Sequence, residues 1–209
     1  MNIKEIKGQA KGMINGNKWN IFKPAFVLAG ISIIIALIVG IFAGAVDGDI
    51  ELATSLVDLV LGIALIPVTV GLYAYYLKLV RGQEFSLNDL KAYYPDFLKI
   101  LLLEVLVGVF VFLWSLLLII PGIIAAISYS LVYYICVDYP KLEAVDTISK
   151  SKQMMKGYKM DYFIFKLSFI GWLFLVPFTF GLLLIWLIPY MTIADCLFYE
   201  KVKELNENK

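Results

Sequence analysis

The feature that most constrains this chain is a set of long apolar stretches, each close to the length that crosses a lipid bilayer. Every residue from Pro24 to Val46 is uncharged. A transmembrane helix needs about 20 apolar residues, whereas surface helices of soluble proteins carry a polar face. The 209-residue chain is 61% hydrophobic and 17% charged, and soluble domains are only about 45–50% apolar. The sequence therefore predicts an all-α, polytopic transmembrane helical bundle.

Six spans are predicted, arranged as three hairpins within a single integral membrane domain of residues 1–209. Pro121-Gly122 and the segment from Pro177 to Gly181 divide the longest apolar stretches, because proline interrupts helical hydrogen bonding and glycine tolerates turn conformations. Either pair of spans could instead be one bent helix or a re-entrant segment. The predicted spans cover residues 24–46, 52–79, 97–120, 121–138, 162–178 and 181–199.

The charge distribution predicts the orientation of these spans. If both termini are cytosolic, all 18 Lys and Arg residues fall on or near the cytosolic side, and the turn after the first span carries Asp47, Asp49 and Glu51. Short cytosolic loops of membrane proteins are enriched in basic residues. A five-span arrangement would place Lys201 and Lys203 on the opposite side.

A cytosolic amphipathic helix is predicted before each hairpin. The first covers residues 1–16, with an apolar stripe of Ile3, Ile6, Ala10, Met13 and Ile14. Ser86 and Asp89 have the spacing of a helix-capping pair. The third helix would begin near Pro140, with a stripe of Leu142, Val145, Ile148 and Met155. Lysines on these helices could attract anionic lipid headgroups, or simply enforce topology, and the same lysines can do both. The candidate headgroup contacts are Lys4, Lys7, Lys11, Lys150, Lys152 and Lys156.

Three ionisable residues are predicted at a similar depth in the inner leaflet: Glu104, Lys166 and Asp195. Charges inside a bilayer are costly, so they mark candidate functional positions. One interpretation is an intramembrane polar site open to the cytosol. The other is structural: Lys166 pairs with Glu104 or Asp195 and holds the bundle together, while its ammonium group reaches towards the interface.

No residue pattern points to catalysis, a cofactor or a metal. Histidine is absent, and the two cysteines, Cys136 and Cys196, are far apart in sequence. The absence of histidine excludes Ser-His-Asp triads and most zinc sites. A net charge of +1 gives no support for nucleic-acid binding. We therefore expect no catalytic residue, no cofactor and no metal site.

The C-terminal half resembles a known family. The resemblance rests on Ser149–Lys159, on Leu167–Trp172, on Ile188-Pro-Tyr190 and on Ala194 with Phe198-Tyr199, and Gly16-Asn-Lys-Trp19 is similar to that family's opening segment. The family is an uncharacterised integral membrane family of bacteria, catalogued as domain of unknown function 975. The resemblance spans essentially the whole chain and implies a multi-pass protein of a bacterial cytoplasmic membrane. It implies no activity.

Three functions remain open at this stage. The leading hypothesis is a non-enzymatic protein that associates with anionic lipids, with other membrane proteins or with itself. The second is a small-solute transporter or channel component that uses Glu104, Lys166 and Asp195. The third and least favoured is an intramembrane lipid-modifying enzyme, because carboxylates alone can perform acid–base chemistry.

Overall fold

The computed structural model describes residues 2–45 and 50–208, and all regular elements in these ranges are helices. Asp47 and Asp49 of the predicted acidic turn lie outside the described residues. Short 3-10 helices cover Leu87–Lys91, Tyr94–Asp96 and Pro177–Thr179. The α-helices are α1 (Ile3–Gly16), α2 (Lys18–Ala45), α3 (Ile50–Ala64), α4 (Ile66–Val80), α5 (Phe97–Leu117), α6 (Ile119–Ser128), α7 (Val132–Asp138), α8 (Ala144–Met154), α9 (Lys159–Leu167), α10 (Ile170–Leu173) and α11 (Leu182–Glu207).

Five helical segments in the described part are long and apolar enough to cross a membrane. They are Lys18–Ile41, Val57–Val80, Leu87–Leu117, Ile119–Asp138 and Leu182–Glu207. Several spans of this kind in one chain are the property of a multi-pass membrane protein.

Side-chain contacts join successive pairs of helical segments. In the first, the hydroxyls of Tyr75 and Tyr76 on α4 donate hydrogen bonds to the carbonyls of Asn20 and Ile21 at the start of α2. In the second pair, α5 runs antiparallel to the segment that follows α6. Lys99 contacts Pro140, Glu104 contacts Tyr133, and Phe110 contacts Tyr129.

The last pair of limbs is also antiparallel. From the turn downwards, Trp172 packs on Trp186, Phe169 on Tyr190, Lys166 pairs with Asp195, and Tyr162 packs on Phe198.

Buried and exposed apolar residues occupy different parts of the bundle. Ile41 near the end of α2, Ile119 at the start of α6 and Phe180 just before α11 are 71%, 77% and 96% exposed. Elsewhere the helices form a packed core, which α1 joins by burying Ile6, Ala10 and Ile14. An apolar surface of this extent matches contact with lipid rather than with water.

The turn of the second hairpin differs from the predicted position. The helices break at Leu118, which is extended (φ −164°, ψ 153°), and not at Pro121-Gly122. Pro121 is the third residue of α6, where its missing amide hydrogen costs no helical hydrogen bond. Gly122 instead permits close helix packing, because a Cβ there would lie 3.0 Å from Ser115 Cα.

The predicted span 162–178 is not one continuous helix. It is divided into α9, α10 and a 3-10 turn that begins at Pro177. Phe180 (φ 49°) and Gly181 (φ 81°) adopt left-handed conformations and reverse the chain into α11. Pro177 and this turn end regular helical hydrogen bonding after α10.

The third amphipathic helix also differs from its prediction. It starts at Ala144 rather than at Pro140, which lies in the preceding turn, and Val145 is 57% exposed. Ile148 and Met155 of the predicted stripe are buried. The buried face of α8 also carries two polar side chains, Thr147 and Ser151. Both are fully buried because their hydroxyls donate to the carbonyls of Glu143 and Ser128.

The loop between the first two hairpins folds back on α4. Ser86 and Asp89 form the predicted capping pair at the start of a 3-10 helix. Gly71 allows this loop to approach, because a Cβ at this position would lie 2.5 Å from the Leu90 carbonyl oxygen. The Lys78 ammonium group then binds Asp89 at 2.7 Å.

Candidate functional site

The three predicted intramembrane charges separate into two contacts. Lys166 Nζ donates to Asp195 Oδ2 at 2.6 Å, joining α9 to α11. Glu104 on α5 is not part of this pair, because it accepts a hydrogen bond from the Tyr133 hydroxyl on α7. The ring of Tyr133 stacks on Tyr73, 5.0 Å between centroids. Lys166 therefore pairs with Asp195 alone, and aromatic rings separate this pair from Glu104.

The Asp195 carboxylate is only partly satisfied. Its Oδ1 is buried and makes no hydrogen bond of good geometry within the described part of the chain, and the same holds for the Tyr134 hydroxyl. Most buried polar atoms in native proteins are hydrogen-bonded, so unsatisfied ones call for an explanation. Tyr134 stacks on Tyr199, which places this polar pair inside the aromatic core between α7 and α11.

A second polar cluster lies where α4, α7 and α11 end, and sequence reasoning did not find it. The Asp138 side chain is 6% exposed. Its carboxylate accepts hydrogen bonds from both terminal nitrogens of Arg81 at 2.8 Å and from Lys203 Nζ at 2.7 Å. The Tyr199 hydroxyl donates a hydrogen bond to the same carboxylate, and the Nε of Arg81 donates to the carboxylate of Glu200. These hydrogen bonds, chiefly those to Asp138, raise the pKa of Arg81 above its ordinary value. Each charged group of this cluster has a partner of opposite charge, and these ion pairs connect α4, α7 and α11.

The six candidate headgroup lysines have different environments. Lys7 donates to the carbonyl and the hydroxyl of Ser168 at 3.1 Å, and partial burial lowers the pKa of its ammonium group. Lys150 lies 3.6 Å from the centre of the Tyr139 ring. These two side chains are engaged inside the protein. The other four predicted lysines are exposed: Lys4, Lys11, Lys152 and Lys156.

Two of the exposed lysines share a cavity with a third that was not predicted. Lys152, Lys156 and Lys159 line a surface cavity of about 550 Å³, together with Ser149 and Gln153. None of the three lysines forms an ion pair with a carboxylate of residues 2–45 or 50–208. We call this feature the basic cavity.

The local backbone explains how the basic cavity forms. Lys152 lies on α8, and Lys159 is the first residue of α9. Gly157 between them has φ +93°, a left-handed conformation that favours glycine. The chain turns at Gly157, and Lys159 lines the cavity together with residues of α8. In the sequence, two lysines on either side of a glycine, Lys156 and Lys159 around Gly157, are the signal that could have indicated this cavity.

No metal site accompanies these features. Within the residues that the structure describes, no three Cys, Asp or Glu side chains are grouped closely enough to hold a metal ion.

Comparison with known families tests the resemblance that the sequence suggested. Residues 116–206 match the model of a family described as Protein of unknown function (DUF975). This segment resembles that family. The resemblance inferred from the sequence is thereby confirmed for the C-terminal part of the chain, whereas it was expected over nearly all of it. The matched segment contains α6 to α10, α11 except for Glu207, and all the residues of the basic cavity. No curated protein and no solved structure matches the chain.

Proposed function

We propose that this chain is a non-enzymatic, multi-pass membrane protein that associates with anionic lipid headgroups through its basic end. The observation that carries the proposal is the basic cavity, where Lys152, Lys156 and Lys159 form no ion pair with a carboxylate of residues 2–45 or 50–208. A basic residue near an anionic bilayer surface contributes about 1 kcal/mol of attraction. The exposed Lys4 and Lys11 add to the same attraction.

The proposal includes six membrane crossings arranged as three hairpins. Besides the five long helices, it assigns a crossing to residues 162–178. Its support is the antiparallel pairing of this segment with α11, from Trp172–Trp186 to Tyr162–Phe198. Exposed apolar side chains along it, such as Phe174 at 73%, suit lipid contact. Short helices are tolerated at membrane depth where neighbouring helices cover the backbone.

We further propose that both termini are cytosolic and that the protein resides in a bacterial cytoplasmic membrane. The support is the segregation of basic residues. With six crossings and both termini cytosolic, all 18 Lys and Arg residues fall in or near the cytosolic segments of the sequence. Short cytosolic loops carry such an excess.

Binding of lipid to the purified protein tests the function. In neutral detergent, phosphatidylglycerol should raise the thermal midpoint more than phosphatidylcholine does, because a ligand that binds the folded state stabilises it. The difference should shrink as salt is raised, since surface charges are screened. Equal effects of the two lipids would contradict the proposal. Capture of a membrane protein or of a second copy, without any lipid preference, would move the function to protein association.

A second candidate, transport of a small solute, has one specific observation in its favour. Asp195 Oδ1 and the Tyr134 hydroxyl are buried and unsatisfied, as expected of groups that bind a passing solute. Flux of protons or small cations into proteoliposomes tests it. The variant Asp195→Asn should abolish flux, and Glu204→Gln should leave it unchanged. Absence of flux in the unaltered protein would remove this candidate.

A further inference from the structure

An apolar groove adjoins the basic cavity. It has a volume of about 320 Å³ and shares Lys152 and Lys159 with that cavity. The remaining lining residues come from α5, α6 and the turn that follows α6: Trp114, Pro121, Ile124, Ala125, Ser128 and Tyr129. Two cationic groups thus line the same groove as a set of mostly apolar side chains.

We propose that the basic cavity and this groove together form a binding site for one anionic phospholipid. The headgroup phosphate is held by Lys152, Lys156 and Lys159, and one acyl chain lies in the groove along α6. The inference rests on the proposed function and names its ligand class and its residues.

The positive charges of the basic cavity favour an anionic occupant. Some basic groups of the bundle have carboxylate partners: Lys78 binds Asp89, Lys166 binds Asp195, and Lys203 binds Asp138. The lysines of the basic cavity have none within the described part of the chain. An ammonium group provides three hydrogen-bond donors, and phosphate oxygens are strong acceptors for them. An anionic headgroup satisfies this site, whereas an apolar partner would leave the lysines unpaired.

The groove distinguishes a lipid from a soluble anion. From Pro121 to Tyr129 it follows about 12 Å of helix rise. Ala125 provides a small floor, while Ile124, 47% exposed, presents its side chain at the surface of α6. Close packing of Gly122 on Ser115 keeps α5 and α6 together along one side. A free phosphate would leave this apolar surface uncovered, and an acyl chain would cover it.

Trp114 provides a direct probe because it lines the groove. Bilayer nanodiscs of phosphatidylcholine would carry the protein and a small fraction of phosphatidylglycerol brominated on its acyl chain. Bromine quenches a nearby tryptophan. Quenching of Trp114 itself is the difference in quenching between the unaltered protein and the Trp114→Phe variant. We expect it to saturate at a low fraction of brominated phosphatidylglycerol, and brominated phosphatidylcholine to quench only in proportion to its bulk fraction.

Two pairs of matched variants assign the binding to this site. Lys152→Gln/Lys159→Gln should weaken saturable quenching by about 25-fold, at about fivefold for each lysine. Lys18→Gln/Lys91→Gln removes the same charge at two exposed lysines outside the site and should leave it unchanged. Ile124→Trp should block the groove without loss of charge. Ile123→Trp, at a neighbouring exposed isoleucine outside the groove, should retain binding. The two isoleucine variants are read by native mass spectrometry, because each adds a tryptophan.

The outcomes separate this inference from the proposed function. If phosphatidylglycerol is preferred but both lysine pairs weaken binding equally, the lipid association stands and the single site is overturned. If millimolar inorganic phosphate displaces the brominated lipid, the site serves a soluble anion and the inference is also overturned. If phosphatidylglycerol and phosphatidylcholine quench alike, both the site and the function fail. Loss of binding in Ile124→Trp but not in Ile123→Trp supports the groove.

Discussion

Lys166 Nζ and Asp195 Oδ2 lie 2.6 Å apart and tie the broken segment of α9 and α10 to α11. The side chain of Asp195 is 15% exposed, and its second oxygen is unsatisfied. The ammonium group of Lys166 is therefore the main compensation for burying this carboxylate. Breaking such a pair from one side leaves an uncompensated charge, whereas removing both partners does not.

A double-mutant cycle tests this role. Lys166→Met should lower the free energy of unfolding by about 1–3 kcal/mol, because it leaves a buried carboxylate unpaired. Lys166→Met/Asp195→Leu should recover much of the loss, giving a coupling energy of about 0.5–3 kcal/mol. Chemical unfolding in mixed micelles measures each variant. Strictly additive losses would show that the two side chains do not stabilise each other.

The cluster around Asp138 predicts a larger effect. Asp138→Asn removes the charge that holds Arg81 and Lys203, and we expect a loss of about 3–5 kcal/mol, as for other broken buried pairs. Glu204→Gln is the matched control. Its carboxylate binds only Lys201, and both side chains are about half exposed, 57% and 46%. Such exposed pairs contribute less than about 1 kcal/mol. Comparable losses in the two variants would contradict the assignment of Asp138 as the centre of the cluster.

The close approach at Gly71 predicts a strong effect of a single methyl group. In Gly71→Ala the new Cβ would lie 2.5–2.6 Å from backbone atoms of Asp89 and Leu90, which must move. We expect a loss of about 1–3 kcal/mol, the usual cost of overpacking. The control is Gly62→Ala on α3, where nothing lies within 4 Å of a Cβ. It should be neutral or gain up to about 1 kcal/mol from helix propensity. Thermal melting in detergent compares them, and equal stability would contradict the packing of this loop.

The sequence predicted features that depend on local spacing. The stripe of Ile6, Ala10 and Ile14 is buried as expected from its helical period. The capping pair of Ser86 and Asp89 depends on residues three apart. The pairing of Lys166 with one of two carboxylates followed from equal depth in the bilayer, although sequence could not choose between Glu104 and Asp195.

Features that depend on tertiary contacts were not predictable. Arg81 lies 57 residues from Asp138 and 119 from Glu200, and only helix packing brings them together. The same reason explains why Lys7 and Lys150 are engaged inside the protein instead of facing lipid. The break at Leu118 was missed because proline was taken as the break, whereas Pro121 sits in the first turn of the next helix. Lys159 joins the basic cavity only because Gly157 turns the chain.

The most direct measurement of the whole account is the accessibility of two engineered cysteines. Cys136 and Cys196 are buried and should stay silent in the unaltered protein. Gly48→Cys marks the connection between α2 and α3, and Asn208→Cys marks the C-terminal end. An impermeant thiol reagent applied to intact cells should label position 48 and leave position 208 unlabelled until the membrane is opened. Labelling of position 208 but not of position 48 would contradict hairpins that enter the membrane from their basic end.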